Sequence, residues 1–166
     1  MLIVFGGLPG TGKTTIARLL AERHAATYLR IDVIEQALRA ANGRAGDVGP
    51  AGYVIANALA ASNLSIGRRV IADCVNPVHE SRSGWRATAA RAGKPLIEIE
   101  VVCSDASEHR RRVEQRCSDI AGLVLPTWRD VVTRGYAPWQ EPHIIVDTAR
   151  LTPAEAIAVI ERESGL

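Results

Sequence analysis

Eight residues near the start of the chain, Gly7-Leu8-Pro9-Gly10-Thr11-Gly12-Lys13-Thr14, limit what this sequence can fold into more than any other segment. They fit the pattern G-x-x-x-x-G-K-[ST], which cradles phosphate when a buried strand precedes it and a helix follows. Both flanks are present. Leu2 to Phe5 is a short continuous apolar run, as a strand buried on both faces requires. Ile16, Leu19, Leu20 and Arg23 then follow helical spacing. Each part of the loop has a physical task. Glycine lets the backbone turn and bring successive N–H groups toward phosphate oxygens with no Cβ in the way. The helix that starts near Lys13 points its unpaired N–H groups and positive dipole end the same way. Lys13 adds a full charge toward the β- and γ-phosphates, and the Thr14 hydroxyl suits Mg²⁺. The segment predicts a site for ATP with Mg²⁺, in which Gly7, Pro9, Gly10, Thr11, Gly12, Lys13, Thr14 and Thr15 hold the nucleotide.

Strand-like and helix-like segments alternate along the rest of the chain. Thr27 to Ile31, Arg69 to Asp73, Pro95 to Cys103 and His143 to Asp147 read as further strands. A helical stripe runs through Val33, Ile34, Ala37, Leu38 and Ala41, and further helices are expected from Ala51 to Leu64, Glu80 to Ala92 and Trp128 to Arg134. Asp105 with Glu108 three residues on reads as a capping box opening an arginine-rich helix that reaches Arg116. Thr152-Pro153-Ala154-Glu155 opens the last helix with a cap, a proline at the first helical position and an acid at the third. Asn42 to Pro50 is a glycine-rich loop of the length that borders sites, and Ser118 to Pro126 is a connector with no sustained period. Five strands separated by helices imply an α/β fold, a parallel sheet covered on both faces. With 166 residues and no internal repeat or linker, one domain is expected.

Composition removes several function classes. A formal net charge of +2 is too small to argue for nucleic acid. No apolar run approaches the ~20 residues of a membrane-spanning helix. The N-terminus shows no basic leader with a small-residue cleavage site, so a cytoplasmic protein is expected. Cys74, Cys103 and Cys117 lack metal-like spacing and sit beside apolar residues, which predicts buried thiols in a reducing compartment.

Beyond the loop, several side chains are candidates for chemistry. Asp32 is expected where the second strand gives way to a helix, at the carboxyl edge of the sheet, where ligands bind in open α/β folds. A carboxylate there suits a general base, and it equally suits a helix N-cap. Asp73 follows Val70-Ile71-Ala72 and reads as an acid at the end of a core strand, ordering Mg²⁺ or its waters. Arg112 and Arg116 share one helical face with Glu108 beneath them, either as a solvated surface or as a cationic arm over the triphosphate. Arg82 and Arg86 lie four apart and are placed to meet an acceptor or solvent; Asn76 belongs to the turn before them.

Together these residues resemble the small P-loop kinases of the adenylate-kinase-like group. More narrowly, the chain is similar to the short AAA-type ATP-binding proteins related to chloramphenicol phosphotransferase, bacterial polynucleotide kinase and zeta-toxin kinases. The resemblance rests on Gly7 to Thr14, Ile31-Asp32, Val70 to Asn76, Glu108 to Arg116, Pro126-Thr127-Trp128 and Val146 to Ala149. It implies a three-layer fold with the sheet in order 2-3-1-4-5 and a short lid at about 112–128. It further implies Asp32 as base or acceptor-orienting group and Arg112 and Arg116 as lid arginines, which with Lys13 make the expected catalytic set; the residues themselves put Asp32, Asn76 and Arg82 toward the acceptor and Thr14 and Asp73 toward the metal. Adenine would lie beside Thr148, Ala149 and Arg150. Val75 stands where such relatives commonly carry threonine, so the acceptor's identity does not carry over. The Asp-Gly-Asp of adenylylsulfate kinases is absent as well, Ile31-Asp32-Val33 standing there. The expected function is transfer of the γ-phosphate of ATP to a hydroxyl of a small molecule by a monomer or homodimer. The alternatives are an ATP-hydrolysing switch and a polynucleotide 5′-hydroxyl kinase.

Overall fold

The computed structural model describes residues 1–42 and 48–166. Strands β1 (Leu2–Gly6), β2 (Thr27–Arg30), β3 (Val70–Asp73), β4 (Leu96–Val102) and β5 (Ile144–Asp147) form one sheet in the order β2-β3-β1-β4-β5. Every neighbouring pair is parallel, so each connection crosses a face of the sheet. The helices are α1 (Lys13–Arg23), α2 (Ile31–Asn42), α3 (Ala51–Ser65), α4 (His79–Arg91), α5 (Ala106–Gln115), α6 (Trp128–Thr133) and α7 (Pro153–Ser164).

Two apolar layers explain why β1 reads as an unbroken hydrophobic run. Ile3 and Phe5 face one side, where Ile16 and Leu20 of α1 and Ile157 and Ile160 of α7 close over them. Leu2 and Val4 face the other, against Ala56, Ala60 and Leu64 of α3 and Trp85 of α4. A strand covered on both faces has no polar side to show, and period-two alternation disappears. The register then sets the site. Phe5 pairs with Asp73, and Asp73 pairs with Arg30, so the ends of β1, β3 and β2 stand side by side at the carboxyl edge.

Several expectations shift by a residue or a face. β2 ends at Arg30, and Ile31, 2% exposed, already belongs to α2. Asp32 therefore sits in the first turn of that helix rather than at the strand end. The helix turns the row Ile31, Ile34 and Leu38, three and four residues apart, inward, with Ile31 buried in the core beside α3 and Ile34 and Leu38 half-buried. Val33, Ala37 and Ala41 of the expected stripe are exposed. Of the glycine-rich loop expected at Asn42–Pro50, residues 43–47 lie outside the described residues.

At α5 the capping box forms only in part. Asp105 accepts from the N–H groups of Ser107 and Glu108 at 2.9 and 3.0 Å. The Glu108 carboxylate turns instead to Arg111 and Arg112, each at 2.7 Å. At α7 the box is complete, with Thr152 and Glu155 exchanging bonds and Pro153 in the first turn. The cysteines also differ from expectation: Cys74 is buried, Cys103 half-buried and Cys117 exposed, because the last lies past the end of α5 rather than under it.

Candidate functional site

The phosphate-loop segment bends around missing side chains. A Cβ on Gly7, whose φ is +139°, would lie 2.2 Å from the carbonyl oxygen of Val101 on β4. One on Gly10 would lie 2.5 Å from Cγ2 of Val113 on α5. Glycine at these two positions is what lets β4 and α5 press against the loop. Gly12 precedes α1 with no side-chain cap, so the first-turn N–H groups of that helix keep their donors for an anion. Lys13 is 7% exposed and lines the adjoining cavity with Thr14 and Thr15.

The same loop is tied down from outside at three points. Gly7 N–H donates to Val75 O at 3.0 Å. His109 on α5 donates through Nε2 to Pro9 O at 2.8 Å, a bond that fixes the ring proton on that nitrogen. Thr148, just past β5, donates its hydroxyl to Thr11 O at 2.7 Å. Trp128 meets the His109 ring edge-on at 5.2 Å, so α6 supports the same contact. His109→Ala should therefore weaken nucleotide affinity by up to about tenfold, the worth of one buried hydrogen bond, with the fold retained. Calorimetry with ADP and Mg²⁺ checks this, and unchanged affinity would show the loop to be self-supporting.

The loop opens on a cavity of about 720 Å³, bounded opposite by Asp32 and Glu35 of α2, by Arg112 and Arg116 and by the 116–127 connector. Arg112 is fully committed: Nε to Glu108 at 2.7 Å, Nη1 to the Thr148 hydroxyl at 2.8 Å and Nη2 to Thr148 O at 3.1 Å. Arg116 is not. Its Nε is buried with no hydrogen-bond partner, and burial lowers its pKa, with Arg30 adding to that and Asp32 opposing it. A desolvated guanidinium on a cavity wall is placed to receive an anion. Asp119 in the connector joins Arg18 of α1 and Arg30 of β2, with Arg30 Nη1 2.8 Å from Oδ2.

Those two arginines hold the Asp119 carboxyl down at about 2. A carboxyl depressed in the folded state contributes stability above its unfolded value, ~4, and that contribution disappears as pH falls toward 2. Wild type should thus exceed Asp119→Asn by on the order of 1 kcal/mol at neutral pH, solvent screening included, since Asp119 is 45% exposed. Urea titrations should show the two converging between pH 4 and 2, and a constant difference would show that the carboxylate charge is not what matters.

The sequence profile of the AAA domain family matches residues 2–124, about three quarters of the sequence. This chain belongs to that family. Its fold recurs in solved structures. A candidate kinase from Chloroflexus aurantiacus is 21% identical, with 97% of this chain and 96% of that one covered and a TM-score of 0.75. Chaetomium thermophilum Kti12, solved with ADP-AlF3, is 22% identical over 99% and 98% of the two chains, with a TM-score of 0.68. A gluconokinase from Sinorhizobium meliloti is 18% identical over 98% and 93%, with a TM-score of 0.65. No curated protein matches the sequence.

For this AAA-domain chain the loop, Asp32, Arg112 and Arg116 come together on one cavity, while other candidates are placed elsewhere. Arg82 is 2% exposed and donates to the carbonyls of Asn76, Pro77, Ala137 and Pro138. Its guanidinium also lies 4.3 Å from the Trp139 ring centroid. It is a structural clamp on two turns and not an acceptor ligand. Asn76 is wholly buried with φ +53°, its side-chain amide has no hydrogen-bond partner, and it lies behind the cavity-lining residues Val75 and Pro77 rather than on the wall itself. Asp73 stands at the expected strand end, but it is 2% exposed, off the cavity wall, and accepts the Tyr28 hydroxyl at 2.6 Å. That placement favours holding Tyr28 and Arg30 over direct ligation of a metal. Thr11 turns its hydroxyl to Leu8 O at 2.9 Å and closes the loop from within. Of the expected adenine contacts, Thr148 touches the loop, whereas Ala149 and Arg150 are exposed and away from the cavity wall.

Arg18, Arg30 and Asp119 were missing from the sequence candidates. Two of them left a signal. Arg18 is four residues past Thr14, on the same helix face, and Asp119 is the one charged residue between Ser118 and Pro126. Arg30 left none beyond its place before Ile31-Asp32. Among the described residues no group of three or more His, Cys, Asp or Glu gathers as for a protein-held metal. The Thr14 hydroxyl beside the loop fits Mg²⁺ carried chiefly by phosphate oxygens and water. No helix among the described residues is long and apolar enough to cross a membrane.

Proposed function

We propose that the chain is an ATP- and Mg²⁺-dependent phosphotransferase that moves the γ-phosphate of ATP to a hydroxyl of a small molecule. One observation carries the reading: the phosphate loop and Asp32 face each other across a single cavity of about 720 Å³, which has room for a triphosphate and an acceptor together. The loop N–H groups and Lys13 hold the phosphates, and Thr14 and Thr15 stand at the start of α1 behind them. Mg²⁺, held by the Thr14 hydroxyl when bound, neutralises phosphate charge. Asp32 accepts the acceptor hydroxyl's proton as that oxygen bonds to the γ-phosphorus and the bond to ADP's terminal oxygen breaks. Arg112 is pre-set by Glu108 and Thr148, and Arg116 offers its free guanidinium to the charge that spreads during transfer. The connector then acts as a lid at about 112–128 within one domain, with adenine between it and the loop on the Thr148 side.

Incubation with labelled ATP, Mg²⁺ and a panel of sugars, nucleosides, aminoglycosides and phenolic alcohols tests this. The expected product is a phosphate monoester of one acceptor class, formed one-for-one with ADP. Release of free phosphate alone with every acceptor would replace this reading with a hydrolytic switch.

A further inference from the structure

The phosphotransfer proposed above leaves Arg30 without a task, although the site is built around it. Arg30 closes β2, and its side chain is 10% exposed. Carboxylates from three separate segments surround it. Nε lies 3.7 Å from Asp32 Oδ2 and 3.8 Å from Asp73 Oδ2, both beyond hydrogen-bond length. That nitrogen is sealed from solvent and has no hydrogen-bond partner. Nη1, by contrast, donates to both oxygens of Asp119, at 2.9 and 2.8 Å. Tyr28 donates to Asp73 Oδ2 on the inner side, and Arg116, at the end of α5, lines the same cavity as Asp32 and Arg30.

A buried donor left empty beside two carboxylates needs an opposing pull, because a charge-assisted bond to either would form if the guanidinium moved by about 1 Å. The opposing pull in the structure is Asp119. We infer that Arg30 and Asp119 are positioning residues: the connector carboxylate holds the Arg30 guanidinium off Asp32, which keeps the proton-accepting carboxylate unengaged. The inference rests on the phosphotransfer reading for its purpose, but its geometry is testable alone. When the connector is seated, Asp32 has its oxygens for an acceptor hydroxyl. When Asp119 is lost, Arg30 closes on Asp32 and occupies it. Asp119 lies 45% exposed and, among the described residues, its ion pairs are with Arg30 and Arg18, through which it acts.

Nitrogen-15 NMR of arginine Nε–H groups in the full chain with ADP and Mg²⁺ reads the geometry directly. In Asp119→Asn the Arg30 Nε–H signal should move downfield and exchange more slowly, and adding Asp32→Asn should reverse that shift. An Arg30 signal that does not respond to Asp119→Asn overturns the inference whatever the activity. ATP turnover gives the second arm. Asp119→Asn should lower kcat about tenfold with KM for ATP within twofold, Asp119→Glu should restore it, and Arg30→Gln added to Asp119→Asn should raise it again. A double variant no better than Asp119→Asn, or KM and kcat falling together, counts against the device. If Asp32→Asn alone leaves turnover intact, the base assignment fails instead, and the NMR arm still decides the contact.

Discussion

Lys13→Ala should lower ATP turnover by about 10³-fold or more while the protein unfolds at nearly the wild-type temperature. The two halves of that expectation have different causes. The shape of the loop comes from the close approaches at Gly7 and Gly10 and from the ties of Pro9 and Thr11 to His109 and Thr148. None of these uses the lysine ammonium, and no ion pair engages Lys13 among the described residues. Lys13 is 7% exposed and lines the cavity, where a bound phosphate would answer its charge. ATP turnover measured beside a circular dichroism melt separates the effects. Substantial activity with an unchanged melt would sink the loop assignment.

Asp32→Asn should leave ATP affinity nearly intact and slow phosphoryl transfer by about 10²–10⁴-fold, the usual weight of a positioned base. The substitution keeps size and shape and removes only the ability to take a proton. Asp32 is 40% exposed and sits in the first turn of α2, so the fold does not depend on its charge. Calorimetric ADP binding compared with single-turnover transfer to the identified acceptor tests it. Equal losses in binding and rate would place Asp32 in the nucleotide site or in folding.

How far the sequence led depended on whether a feature was local. The loop was legible because its constraint is carried by glycines at fixed spacing, and β1 because burial on two faces removes all polarity from four consecutive residues. Asp105 was legible as a cap for the same reason: its partners are two and three residues away. Arg30 and Asp119 were not, since 89 residues separate them and no period links the two. Arg82 misled. Paired with Arg86 at helical spacing, it reads as a cation for an acceptor or for solvent, yet it was drawn inward by four carbonyls of the irregular turns at 76–77 and 137–138. Surplus backbone acceptors belong to chain geometry and have no letter in the sequence. The stripe on α2 failed more mildly: composition allowed two apolar rows, and Ile31's contact with the core selected one.

The carbonyls on either side of Gly10 are both anchored, one to α5 and the other beyond β5. The loop is consequently a mould set during folding, with little ordering entropy left to lose when a ligand arrives. A rigid mould of amide groups reads a spacing of negative charges and is blind to whatever is attached to them. Inorganic tripolyphosphate offers it the same pattern as ATP, so discrimination among purine bases must reside entirely in residues outside the loop.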